Sequence, residues 1–561
     1  MAAKVNRRSS TIPAFLLLAA VQAALFVVAQ PFGNFPLNDD WAYALTVKWL
    51  VDDGVFKLSN WIVPNLLPQS LLGWLCACLF GHSFSALRLL TEFVSLLTSL
   101  VAYQFLRSCG IDRRRSFLAT VALVCLPWWQ ALGNSYMSDM YGLTFALVAA
   151  FYLVRQLVRP SGRALALGIA FCAIAMLQRQ TALIVPAAFA LAWACSRDMR
   201  SAGSWGVALA PLLVTIGTQE LYHGYLANGP GIPEASIATL GRIWPMTRDL
   251  VTAHDGSVAW FLTNLVQMSG YLGIFIVFPA AAGFYGRPNL AWTAFAVAVF
   301  AAMLSLGWLP PYRDNSVLDA AGIGPFTIGN GMEHAAPIDR TRGLLWTLAA
   351  LLASIGIAIL AATIVRAVRA LGSCCRRRRA VLIFLSALIL MFLIPLAITD
   401  YSDRYFLFVF PFVLAWHFVA SLRRSGVELP RARLALGLVP VVAIGLLSAM
   451  AVHDYFAWNR ARWAGIAYAE ERLGANALTM DGGFEYNGYH NFEARARLSR
   501  AAGKNWWWVD DDRYLVSFEQ KPGYGTIRRE AVDAYCSCIP RFVFLEQRLG
   551  ESRDGGDGTG L

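Results

Sequence analysis

Charge is scarce in these 561 residues: 15% are Asp, Glu, Lys or Arg, against 57% hydrophobic residues and a mean hydropathy of +0.51. That balance excludes a water-soluble protein, which needs more polar surface than this chain can provide. The centres of the apolar segments lack the Asp, Glu and Lys that mark an ion or proton path, apart from Glu92 and Glu220 near segment ends. No internal repeat of the inverted-transporter kind is detectable, which weighs against a flippase or transporter. Ten cysteines are present, but none is arranged in a metal-ligand spacing. Cys536 and Cys538, in "YCSC", offer a disulfide at most. The N-terminal segment has no convincing small-residue cleavage site before "PFGNFPLNDD" and reads as a retained span. Long apolar runs are missing after His453, so residues 452–561 are expected to form a small soluble α/β domain. Its strands are expected at "YLVSF" and "RFVFLEQ", and a helix at "WNRARWAGIAYAEERL".

What remains, residues 1–451, is a series of apolar stretches of roughly 17–25 residues, each able to cross a hydrocarbon core about 30 Å thick. The net charge of +12 is concentrated in short Arg-rich loops between them, which orients a membrane protein and is not a nucleic-acid footprint. Placing "RSCGIDRRR", "RQLVRPSGR", "RAVRALGSCCRRRR" and "RRSGVELPRAR" on the cytoplasmic side gives thirteen crossings. They begin near residues 13, 84, 116, 141, 164, 181, 204, 257, 290, 343, 380, 404 and 433. Stretches 38–52 and 65–80 are then helices lying along the outer interface, and the C-terminal domain is outside. The same count sends Asp39, Asp40, Asp139, Arg179, His223, His254, Asp400, Asp403 and Arg404 to the outer face.

In "NDDWAYALTVKWL", Trp41, Leu45, Lys48 and Trp49 repeat at helical spacing, so an aromatic face is expected on lipid with Asp39 at the helix start. Asp39 there reads either as a helix cap or as a functional carboxylate. Asp139 in "YMSDMYG" has the same two readings. Arg179 with Gln180, and Arg404 with Tyr405, read as interfacial anchors or as partners of an anion. Their convergence on one side favours a site for an anionic, membrane-borne substrate.

At these residues the chain resembles the GT-C class of membrane glycosyltransferases, in the branch with the lipid A aminoarabinose transferases, protein O-mannosyltransferases and rhizobial core-sugar transferases. The family's Asp-Glu-x-x-Tyr pattern is matched by Asp39, Asp40 and Tyr43, with Asp in place of Glu. Its Phe-Met-Thr-Asp is similar to "YMSD", ending at Asp139, and its late Arg-Tyr-Leu before Pro to Arg404, Tyr405 and Pro411. Where some relatives have Glu-Lys-Pro in the first loop, this chain reads "LLPQS" at Pro68 and Gln69, which puts a metal ligand from that loop in doubt. The resemblance implies inverting transfer of a sugar from a polyprenyl-phosphate carrier to a lipid, glycan or protein hydroxyl, at the outer face of a bacterial inner membrane. Asp39 and Asp139 are the implied catalytic residues, and Asp40, Tyr43, Arg179, Arg404 and Tyr405 the substrate-binding ones. A divalent metal is left open as a cofactor, as is a cell-envelope polysaccharide polymerase or ligase as an alternative function.

Overall fold

A computed structural model describes residues 12–254, 256–283, 289–313, 317–319, 322–324, 343–421, 428–502, 508–509, 511–535 and 540–549. Cys536 and Cys538 lie outside them. The chain divides into two compact units, with the boundary after His453.

The first unit opens with α1 (Ile12–Ala29), the short α2 (Asp40–Asp52) and α3 (Leu67–Phe80), and α4 (Phe84–Ser108). Next come α5 (Arg113–Val124) and α6 (Pro127–Gly133), one apolar stretch bent by 62°. The bend has a local cause. Pro127 has no N–H to continue the ladder and holds Leu126 in an extended conformation, while the Gln130 side chain donates to the Val124 carbonyl at 2.7 Å. α7 (Ser138–Val158), α8 (Gly162–Gln178), a 3-10 turn (Gln180–Leu183), α9 (Ile184–Ser196), α10 (Ala202–Asn228), α11 (Glu234–Val251), α12 (Ser257–Gly283) and α13 (Leu290–Ser305) follow. Two short strands, β1 (Leu318–Asp319) and β2 (Gly322–Ile323), pair antiparallel before α14 (Leu344–Ser373), α15 (Arg376–Ile398), a second 3-10 turn (Asp403–Tyr405) and α16 (Phe406–Ser421).

Among the described residues, seven helices are long and apolar enough to cross a membrane, or eight if the bent pair is one span. The chain is a multi-pass membrane protein. The other five of the thirteen expected crossings fall on the shorter apolar α1, α8, α9 and α13, and on α10. α12 and α14 meet through glycine: a Cβ on Gly356 would sit 2.1 Å from the Gly273 carbonyl oxygen, so only hydrogen permits that approach.

The basic loops tie one set of helix ends together. Arg378 donates to the Val419 carbonyl and Arg197 to that of Leu157, satisfying carbonyls left over at helix C-termini, while Arg114 donates to the Leu429 carbonyl in a loop. α7, α8 and α16 run from this side to the opposite one, where Asp139, Arg179 and Arg404 stand.

α17 (Arg431–Leu473) differs from expectation, being one continuous helix of 43 residues instead of a span and a separate helix. The rise in charge at His453 introduces no Pro or Gly to break the helix until Gly465. In the second unit, β3 (Met480–Asp481), α18 (Phe484–Ala502), β4 (Tyr514–Ser517), β5 (Tyr524–Ala531) and β6 (Phe542–Arg548) form an α/β fold. The sheet order is β3-β4-β6-β5, parallel only between β3 and β4, with a register break between Thr526 and Arg528.

Candidate active site

The α2 face turns out differently from its pattern. Asp40 through Val47 are all buried, and Trp41 lies inside, with its ring 6.1 Å from that of Trp61, instead of facing lipid. Helical spacing reveals an apolar stripe but not whether protein or lipid covers it. At the helix start Asp39 has helical backbone angles and makes no side-chain capping bond. Its carboxylate turns elsewhere: Oδ2 accepts from Arg404 Nη1 at 3.0 Å and Oδ1 from Trp61 Nε1 at 2.8 Å. Both oxygens of the adjacent Asp40 accept backbone N–H groups, from Leu37 at 2.6 Å and Tyr136 at 3.3 Å, so Asp40 ties the loop before α2 to the loop before α7.

A second ion pair stands beside the first. Asp139, in the first turn of α7, accepts from Arg179 Nη1 at 2.6 Å, and the same nitrogen reaches Ser138 Oγ at 3.3 Å. The Arg179 stem crosses α7 at Gly142, where a Cβ would come within 2.7 Å of Arg179 Cδ. The Tyr405 ring lies under both guanidinium groups, 5.6 Å from Arg404 and 5.8 Å from Arg179. Tyr43 is within the electrostatic field of Asp39, Arg404, Asp139 and Arg179. Burial first, and the Asp39 charge second, raise its phenol well above the ordinary range, so it remains a donor at neutral pH. Burial works against the Arg179 charge, but Asp139, then Tyr405 and Tyr43, hold this guanidinium above its ordinary value.

The scaffold is built from amides. Gln178 Oε1 accepts the Gln69 backbone N–H at 3.0 Å and its Nε2 donates to Gln69 Oε1 at 2.9 Å, while Gln69 Nε2 donates to the Tyr136 carbonyl. Asn65 is bonded to Gln180, Gln219 and the Met176 carbonyl. The first loop is thereby bolted to the α8 turn that carries Arg179. Asp403 is fully buried and accepts from Val317 N, Leu318 N and Trp128 Nε1, fixing the turn that presents Arg404. Asp400 is exposed and pairs with Arg313 at 3.4 Å. His223 and His254 take part in none of the bonds that join the cluster. Trp61, which holds Asp39, belongs to the site and was not singled out in the sequence; it lies 22 residues away, in a stretch with no periodicity.

Among the described residues, no three His, Cys, Asp or Glu side chains stand close enough to share a metal ion. The carboxylates of Asp39 and Asp139 each face a guanidinium instead.

The fold and cluster define an α-helical polytopic membrane protein with paired carboxylate–arginine groups gathered at one set of helix ends. Residues 69–218, about a quarter of the chain, match the family described as dolichyl-phosphate-mannose-protein mannosyltransferase. Similar solved structures include ArnT from Cupriavidus metallidurans bound to undecaprenyl phosphate (14% identity, TM-score 0.39, 95% of this chain and 97% of that one). The apo state of the same protein is also similar (14%, TM-score 0.38, 96% and 98%). No curated protein matches the chain.

Proposed function

We propose that the protein is an integral membrane glycosyltransferase that moves a sugar, with inversion, from a polyprenyl-phosphate carrier to an acceptor hydroxyl at the outer face of a bacterial inner membrane. The observation that carries this reading is the coupled pair of ion pairs, Asp39 with Arg404 and Asp139 with Arg179, sharing Tyr405 and Tyr43. The match to a family of lipid-phosphate-sugar transferases over residues 69–218, which include Asp139 and Arg179, supports it.

In this mechanism the acceptor oxygen attacks the anomeric carbon while its proton passes to Asp39. An O–C1 bond forms, and the bond from C1 to the phosphate oxygen breaks with its electron pair, leaving polyprenyl phosphate with one more negative charge. A carboxylate has about four lone-pair positions, so the two bonds to Asp39 leave room for that proton. Arg404 Nε is buried without a hydrogen-bond partner, a donor available to the phosphate. The ion pair joins the two events. As Asp39 is neutralised by the proton, the Arg404 charge is released to the departing phosphate, where negative charge is growing. Arg179 and Tyr43 add donors to the same group, and Asp139 holds Arg179 and receives sugar or acceptor hydroxyls. Asp40 serves by fixing the loops on which the substrates rest.

Incubating the purified protein with labelled polyprenyl-phosphate sugars and envelope lipids, glycans and proteins tests the reading. It expects label in an acceptor together with release of polyprenyl phosphate; intact donor across the whole panel would refute it.

A further inference from the structure

The Trp61 indole stands in contact with the carboxylate to which the mechanism gives the proton, and nothing in the chain's resemblance or family match assigns it a role. Its Nε1 donates to Asp39 Oδ1 at 2.8 Å, on the opposite oxygen from Arg404. The two donors therefore fix the carboxylate plane, which neither would do alone. Trp61 is itself held by its surroundings. Its backbone N–H reaches Ser59 Oγ at 3.3 Å, the Ile62 N–H closes on the Ser59 carbonyl at 3.0 Å, and the ring packs against that of the fully buried Trp41. The neighbouring Asn60 carbonyl accepts the Ala235 N–H at 3.1 Å at the start of α11, tying the segment to a second element.

We infer that Trp61 is a positioning residue for the base: its indole N–H holds the Asp39 carboxylate in the orientation that receives the acceptor proton. The inference rests on the transferase reading above. An indole suits the task, since it donates one hydrogen bond, accepts none, and does not titrate, so it cannot compete for the proton.

The test is the kinetics of sugar transfer by the full-length protein carrying Trp61→Phe, which keeps an aromatic ring and removes the donor. Loss of a hydrogen bond that orients the base should lower kcat about tenfold with little change in the donor KM. Trp41→Phe, which disturbs the same ring pair without removing that donor, should leave kcat close to that of the unaltered protein. If Trp61→Phe fails to fold, benzothienylalanine at position 61, isosteric but lacking the N–H, makes the same comparison. An equal loss in Trp41→Phe, a loss confined to the donor KM, or no loss, would overturn the positioning role while leaving the transferase reading intact. Absence of transfer by the unaltered protein would overturn both.

Discussion

In the proposed transfer Asp39 takes a proton and releases an arginine, and its neighbours suit it to both. The capping and catalytic readings of this residue were equally open in the sequence, because an Asp before an amphipathic helix looks the same in either case. Geometry removes the capping bond: a cap needs a bond to the helix's own N–H groups, and the carboxylate points instead to Arg404 and Trp61. Arg404 was legible from its motif as either an interfacial anchor or an anion partner. An anchor needs only a cation, whereas a pair that hands its charge to a phosphate uses the planar fork. Arg404→Lys is therefore expected to lower turnover at saturating donor by about 2–4 kcal/mol in the barrier, the range for losing one transition-state donor. Single-turnover rates of the purified variant check this, and wild-type turnover would return Arg404 to an anchoring role. Trp61 had no such signal, since the bond closes across a loop whose path only the folded structure supplies.

At the scale of elements, two helices had to be brought into register, and a glycine does it. Gly142 follows Asp139 by one turn on α7 and leaves the groove through which Arg179 reaches that carboxylate. Gly142→Ala should push the Arg179 stem aside and slow transfer by roughly ten- to a hundredfold, as small displacements of reacting groups do. Thermal stability should fall as well, because the displaced atoms are the stem of Arg179 in its buried ion pair, whose disruption outweighs the roughly 1 kcal/mol by which Ala favours a helix over Gly. A differential scan alongside the transfer assay distinguishes this from simple unfolding. Elements were well marked in the sequence where apolar runs end at Pro, Gly or Arg clusters, as at α4, α7 and α15. They were poorly marked where composition changes but the backbone does not, as along α17. The face of α2 was misjudged for a related reason: lipid and protein interiors are equally apolar, so periodicity alone does not say which one covers Trp41.

For the whole molecule, the proposed transfer at a membrane surface depends on sidedness. α7 covers about 30 Å from Asp139 to the basic loop at Arg159, one bilayer core in length. In the proposed arrangement the positive-inside rule puts the Arg-rich ends on the cytoplasmic side and the cluster on the other. A reporter inserted at Gly81, between α3 and α4, should be reached from outside intact cells and one at Gly162 should not; cytoplasmic labelling at Gly81 would invert the arrangement. The central claim is that Asp39 takes the acceptor proton in an inverting transfer from a lipid phosphate. It is met most directly by comparing the unaltered protein with Asp39→Asn in a transfer assay whose product is read by anomeric NMR. Asn keeps one oxygen, for Arg404 or for Trp61, and is far too weak a base for the proton. The account predicts a product of opposite anomeric configuration from the donor, and no product from a folded, donor-binding Asp39→Asn protein. A retained configuration, or full turnover in Asp39→Asn, would contradict it.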